Sequence, residues 1–161
     1  MSAPHSGRNV PGAAEDERLM RLAVATARDA PAHDDVPVGC VVSQGGRVIA
    51  TARNERELRS DPTAHAEVLA LRAAALSLGG WRLVGCQVHV TLEPCPMCAG
   101  ALLAARVERV VFGAADLKLG AAGSVTQVLR DPRAPTRVGV SGGILAKECS
   151  SVLGDFFASR R

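Results

Sequence analysis

The chain has no tyrosine, one tryptophan and three phenylalanines among its 161 residues, an aromatic share of 2%. Extensive stacking of bases on ring side chains is thereby excluded, and a nucleic-acid partner would have to be held by shape, charge and a pocket. Long apolar runs are missing too. The longest, residues 99–105, falls far short of the ~20 residues of a membrane span, and the first residues hold no basic stretch followed by an apolar one. The expectation is a cytoplasmic protein with no membrane contact. Five cysteines is an odd number, which without a secretory signal suits reduced thiols or metal ligands better than a disulfide framework. Only one C-x-x-C occurs, Cys95 to Cys98, so a zinc ribbon built from two such pairs is excluded.

What is present suits one globular domain: hydrophobic residues make up 47% and charged residues 22%, enough to fill a core without disorder. Charge is uneven. Residues 1–35 hold 4 Lys+Arg against 6 Asp+Glu, and the remainder 15 against 10, giving −2 and +5. A mildly basic body suits a polyanionic partner and is also common among plain enzymes.

Residues 1–14 are rich in Ser, Pro, Gly and Ala without periodicity and read as a disordered leader, followed by a domain over 15–161. Leu19, Leu22, Ala23 and Ala27 recur at helical spacing and predict a helix over 16–30. Two β-branched runs, 38–42 and 47–52, flank Ser43-Gln44-Gly45-Gly46 and predict a hairpin. A buried helix over 63–78, a strand over 87–92, a helix over 95–106 and a strand over 109–112 follow. After a small-residue loop come a short helical piece over 125–130, a strand over 137–141 and a last helix over 144–161. This order predicts a three-layer α/β domain with a five-stranded mixed sheet: an antiparallel opening hairpin, then strands joined by right-handed crossovers.

The chemistry sits at two helix starts, His65-Ala66-Glu67 and Pro94-Cys95-Pro96-Met97-Cys98. Cys95 and Cys98 are three apart, share a helix face and can grip one ion; in a first turn, unpaired N–H groups and the helix dipole favour thiolates. One His and two Cys make a three-ligand zinc site with the fourth position left to water, the pattern of catalytic zinc. Two thiolates leave Zn²⁺ nearly neutral, so its water needs a base. Glu67, near the same helix end and no ligand itself, fits a proton shuttle.

The pairing of H-x-E with P-C-x-x-C is the signature of zinc nucleobase deaminases. Beyond it, Asp61 to Glu67, Thr91 to Ala101, Arg109 to Ala114, Gly120 to Ser124, Gly143 to Ala146, Asp155 to Phe157 and Arg160-Arg161 resemble the bacterial tRNA-specific adenosine deaminases at even spacing. The resemblance implies a cytidine deaminase-like α/β/α fold, one Zn²⁺ per chain and a homodimer. The implied activity is conversion of the wobble adenosine to inosine in the anticodon stem-loop of a tRNA, an arginine tRNA with the A-C-G anticodon. By residue it implies His65, Cys95 and Cys98 as zinc ligands and Glu67 as the catalytic shuttle. Asn54 would bond the flipped base, Asp116 would contact RNA near the target sugar, and Val38, Leu92 and Pro94 would wall the pocket. Phe156, Arg160 and Arg161 would hold the anticodon loop, and Lys118, with Arg160 and Arg161, would meet phosphates. A guanine or cytosine deaminase of the same fold is the alternative, since the two metal motifs do not choose a base. Bare reading of the other residues makes His5, His33 and His89 solvated, Cys40, Cys86 and Cys149 inert buried thiols, and one of Phe156 and Phe157 a core residue.

Overall fold

A computed structural model describes residues 12–161. Helix α1 spans Ala13–Ala27 and takes the last two positions of the expected leader, whose residues 1–11 lie outside the described ones, as does His5. Its apolar stripe, Leu19, Met20, Ala23 and Val24, is buried. A short 3-10 turn over Ala30–His33 replaces the end of the expected first helix, because Pro31 removes an N–H donor there. Strands β1 (Gly39–Gln44) and β2 (Arg47–Arg53) pair antiparallel across Gly45 and Gly46. Both glycines have positive φ, 58° and 79°, as a two-residue hairpin turn with the sheet's own twist requires.

A four-residue helix, α2 (Arg56–Arg59), stands where the sequence reads only as polar and proline-broken. Then come α3 (Ala66–Leu78), ended by Gly79 at φ 76°, β3 (Cys86–Leu92), α4 (Pro96–Ala104) and β4 (Arg109–Ala114). A 3-10 turn at Val128–Arg130, β5 (Gly139–Ser141) and α5 (Ala146–Ala158) complete the chain. The sheet order is β2-β1-β3-β4-β5, antiparallel through β3 and parallel from β3 to β5. This is the expected three-layer α/β/α arrangement with a five-stranded mixed sheet.

Alternate residues of each strand serve the two layers. Cys40, Val42, Val88, Val90 and Val110 join α3 and α4 in one core, while Val41 and Val111 pack with α1 and Cys149 of α5 in the other. The second layer holds a correction. His89 is not solvated; it is fully buried, and its Nε2 lies 2.8 Å from Asp16 Oδ1. Arg109 grips the same carboxylate with two N–H groups at 2.7 and 2.9 Å. That fork pins α1 to β3 and β4 from 93 residues away. His33 is likewise engaged, its Nδ1 2.7 Å from Asp35 Oδ2.

Candidate active site

The N-terminal ends of α3 and α4 meet beside the carboxyl end of β3. His65 caps α3 in an extended conformation (φ −70°, ψ 153°), and Cys95 caps α4 in the same way, with Pro96 at the first helical position. Upstream, Asp61 accepts the Thr63 N–H at 2.8 Å and its carbonyl accepts the Ala64 N–H at 3.2 Å, which turns the chain into His65. Local sequence therefore sets each motif at a helix start, and the packing of α3 against α4 brings the two together.

His65 Nδ1 stands 3.7 Å from Cys95 Sγ and 3.5 Å from Cys98 Sγ, and all three ligand atoms lie within 4.8 Å of one another. Tetrahedral zinc with bonds of about 2.0–2.1 Å to nitrogen and 2.3 Å to sulfur needs just such edges. The donor set, one imidazole and two thiols, also favours zinc over oxygen-seeking ions. The Cys95 thiol is lowered to about 4, first by the hydrogen bond with Cys98 and then by His65, against its own burial. Cys98 is pushed up by the same hydrogen bond and by burial. A metal ion bound here would take both sulfurs as thiolates and displace their protons.

Beside the cluster opens a cleft of about 260 Å³, near the lower end of small-molecule sites and sized for a base rather than a strand. Its floor includes His65, Cys95 and Glu67. Glu67 is 4% exposed, and burial raises its carboxyl above the ordinary value, only partly offset by its own backbone N–H and by Cys98.

Of the sequence-predicted contacts, Val38, Asn54, Leu92 and Asp116 line this cleft. Asn54 is buried, donating from Nδ2 to the Val36 carbonyl at 3.2 Å and accepting the Arg56 N–H on Oδ1 at 3.2 Å. Asp116 accepts the N–H groups of Lys118 and Leu119 at 2.9 and 3.2 Å, which shapes its own loop. Pro94 is buried behind the wall, where its carbonyl accepts the Ala121 N–H at 2.8 Å. Lys118 is exposed on the loop outside the cleft. Phe156, Arg160 and Arg161 are placed elsewhere. Phe156 is buried against α5's neighbours, Arg160 stacks on its ring at 3.7 Å and pairs with Asp34 at 2.9 Å, and Arg161 is exposed at the chain end. The adjacent Phe157 lines the cleft instead, as do Val36, Arg56, Glu93 and Leu119.

Glu93 has the largest structural part of these. It is 2% exposed and accepts the N–H groups of Asp116, Ala122 and Ser124 at 3.3, 3.0 and 3.1 Å, together with the Ser124 hydroxyl. Burial would raise its carboxyl, but these donors, Ser124 foremost, hold it below the ordinary value. Gly120 lies against it, and a Cβ there would collide with the Glu93 carboxylate and the Asp116 carbonyl. The signal was in the sequence, an acid before P-C-x-x-C and a glycine-rich loop downstream, but nothing local joins them.

The MafB19-like deaminase family model matches residues 14–161. A tRNA-specific adenosine deaminase of Bacillus subtilis is 44% identical over 147 residues, 91% of each chain. Its counterpart in Haemophilus influenzae is 45% identical over 91% of this chain and 85% of its own. A solved structure from work on A-to-I editing by tRNA:A34 deaminases at the wobble position of transfer RNA superposes with a TM-score of 0.81 at 40% identity, covering 84% of this chain and 99% of that one. The chain belongs to the MafB19-like deaminase family and to the tRNA-specific adenosine deaminases.

Proposed function

We propose that this chain is a zinc-dependent hydrolase that converts the wobble adenosine of a tRNA anticodon loop to inosine, with release of ammonia. The arginine tRNA with the A-C-G anticodon is the substrate that the sequence resemblance favours. The observation that carries the reading is the cluster of His65, Cys95 and Cys98 at the end of a base-sized cleft with Glu67 buried beside it. Relatives named as tRNA-specific adenosine deaminases over nine-tenths of the chain favour adenosine in RNA over free guanine or cytosine.

His65, Cys95 and Cys98 would hold the zinc, which supplies an acidified water as nucleophile. Glu67 would take one proton from the attacking water and deliver it to the ring nitrogen next to the attacked carbon. It would then take the second, from the hydroxyl as the new carbonyl forms, and pass it to the departing amine, so water and adenosine balance against inosine and ammonia. Its raised affinity for protons suits a group that must both take and return one. Val38, Leu92 and Phe157 give the base an apolar seat, and Asn54 presents an amide at its edge. A base in a stacked helix cannot reach this depth; one splayed from a loop can, at a cost of a few kcal/mol.

The homodimer would use the apolar surface that α3 and α4 leave open, with Trp81 exposed at a groove of Val68, Leu71, Ala101 and Ala105. A solution mass of twice 16.7 kDa checks it. No helix among the described residues is long and apolar enough to cross a membrane, and a tRNA substrate supports a cytoplasmic location. The test is incubation of purified, zinc-loaded protein with an anticodon stem-loop containing A-C-G, with inosine read by sequencing and ammonia by assay. Inosine at the first anticodon position, formed far faster than from free adenosine, is expected. Faster turnover of free guanine or cytosine overturns the reading.

A further inference from the structure

The cleft is lined by three carboxylates, Glu67, Glu93 and Asp116, and among the described residues by a single arginine or lysine, Arg56. Nothing in the sequence motifs points to this residue. Its side chain is exposed and makes no ion pair among the described residues, whereas Arg53 and Arg59 both pair with Glu55, and Arg160 with Asp34. The stem that carries it is rigid. The Arg56 N–H donates to Asn54 Oδ1 at 3.2 Å, and the next two N–H groups of α2, from Glu57 and Leu58, donate to Asp35 at 2.7 and 3.1 Å. Asp35 is itself 1% exposed and held by His33, whose other ring nitrogen accepts from Arg53 at 3.2 Å.

A cation fixed at its base and unpaired at its tip among the described residues, on the wall of a cleft otherwise rich in acids, is free to meet an anion brought by the substrate. Adenine and ribose are neutral. When the base fills a cleft of about 260 Å³ the sugar and its linkages stay at the mouth, and the only formal charge they carry is the phosphodiester. We propose that Arg56 is a specificity-determining residue whose guanidinium contacts a phosphodiester flanking the seated adenosine, so that a base within an RNA strand is favoured over the free base or nucleoside. This rests on the RNA-editing reading above and adds a residue to it. Asp35 is then a positioning residue, acting through α2.

The test compares wild type, R56A and R56K on an anticodon stem-loop, with binding measured across a salt series, alongside stem-loops in which either phosphodiester flanking the adenosine is replaced by a neutral methylphosphonate. Zinc content and thermal unfolding serve as controls on the fold. R56A is expected to weaken binding about 10–100-fold, the worth of one hydrogen bond to a charged group. It should also flatten the slope of log K against log salt by about 0.7, one counterion on single-stranded RNA. KM should rise while turnover at saturating RNA holds, and R56K should recover most of the salt slope. One of the neutral linkages should cost the wild type as much as R56A does and cost R56A nothing more. An R56A protein with unchanged slope and unchanged affinity overturns the assignment, as does full additivity of R56A with both neutral linkages. If the wild-type enzyme neither binds nor edits the stem-loop, the RNA reading itself fails and the Arg56 assignment falls with it.

Discussion

Two buried glutamates line one cleft, and their surroundings set them to opposite tasks. Glu67, at the start of α3, and Glu93, at the end of β3, are 4% and 2% exposed. Glu93 is met by three N–H groups and a hydroxyl from the loop after β4, and those donors hold its carboxyl below the ordinary value. Glu67 has far fewer donors to offset its burial, and its carboxyl is raised. Burial alone does not decide what a carboxylate does; the number of donors aimed at it does. A saturated carboxylate is a fastening, and an undersupplied one is kept ready to exchange protons.

The sharpest way to break this contrast is to neutralise each glutamate in turn. E67Q should lower deamination by about 10⁴-fold or more, since one group serves several proton transfers and each is worth roughly 10²–10⁴. Its zinc content and thermal stability should be unchanged or slightly improved, because a desolvated charge has been removed. Activity within tenfold of wild type would show that Glu67 is no shuttle. E93Q should do the reverse. Removing acceptor capacity costs about 1–3 kcal/mol for each buried N–H left unsatisfied, which lowers Tm by roughly 2–4 °C per kcal/mol in a chain of this size. Zinc should stay bound, and proteolysis should open the loop from Asp116 to Ser124 first. An E93Q protein as stable as wild type would remove Glu93 from its fastening role.

A third buried acid, Asp16, sharpens the comparison away from the cleft. Burial would raise its carboxyl, yet Arg109 and His89 hold it below the ordinary value. His89 is pushed down, mainly by burial. The signs agree. A depressed histidine contributes stability present above about pH 6.5 and lost as pH falls toward its folded value. The depressed Asp16 adds a second loss that begins near pH 4, the ordinary aspartate value. Unfolding free energy should therefore decline below about pH 6.5, and H89Q should flatten the first part of that decline. A wild-type curve that is level between about pH 4.5 and 7 would refute the downward shift of His89.

The cluster of His65, Cys95 and Cys98 was legible in the sequence because each of its two halves is a short motif at a helix start and the two motifs together form a known signature. Cys95 and Cys98 share a helical turn, His65 and Glu67 share another, Gly79 marks where α3 ends and Pro96 where α4 begins. The alternation of strands and helices likewise determined the layers, since each element must bury one face. The arginine in α2, the partner of Glu93 and the choice between Phe156 and Phe157 were not legible. Adjacent helix residues point about 100° apart, so which phenylalanine meets the cleft depends on the rotation of α5 against the sheet. Glu93 and Ser124 are 31 residues apart, and Asp16 and Arg109 are 93 apart. Their pairing depends on strand order and loop paths that no local spacing encodes. The sequence by itself determined the reacting groups, through short-range helix geometry; only the tertiary structure decided the cleft walls and the charges around them, because those are made by segments that meet only once the sheet has formed.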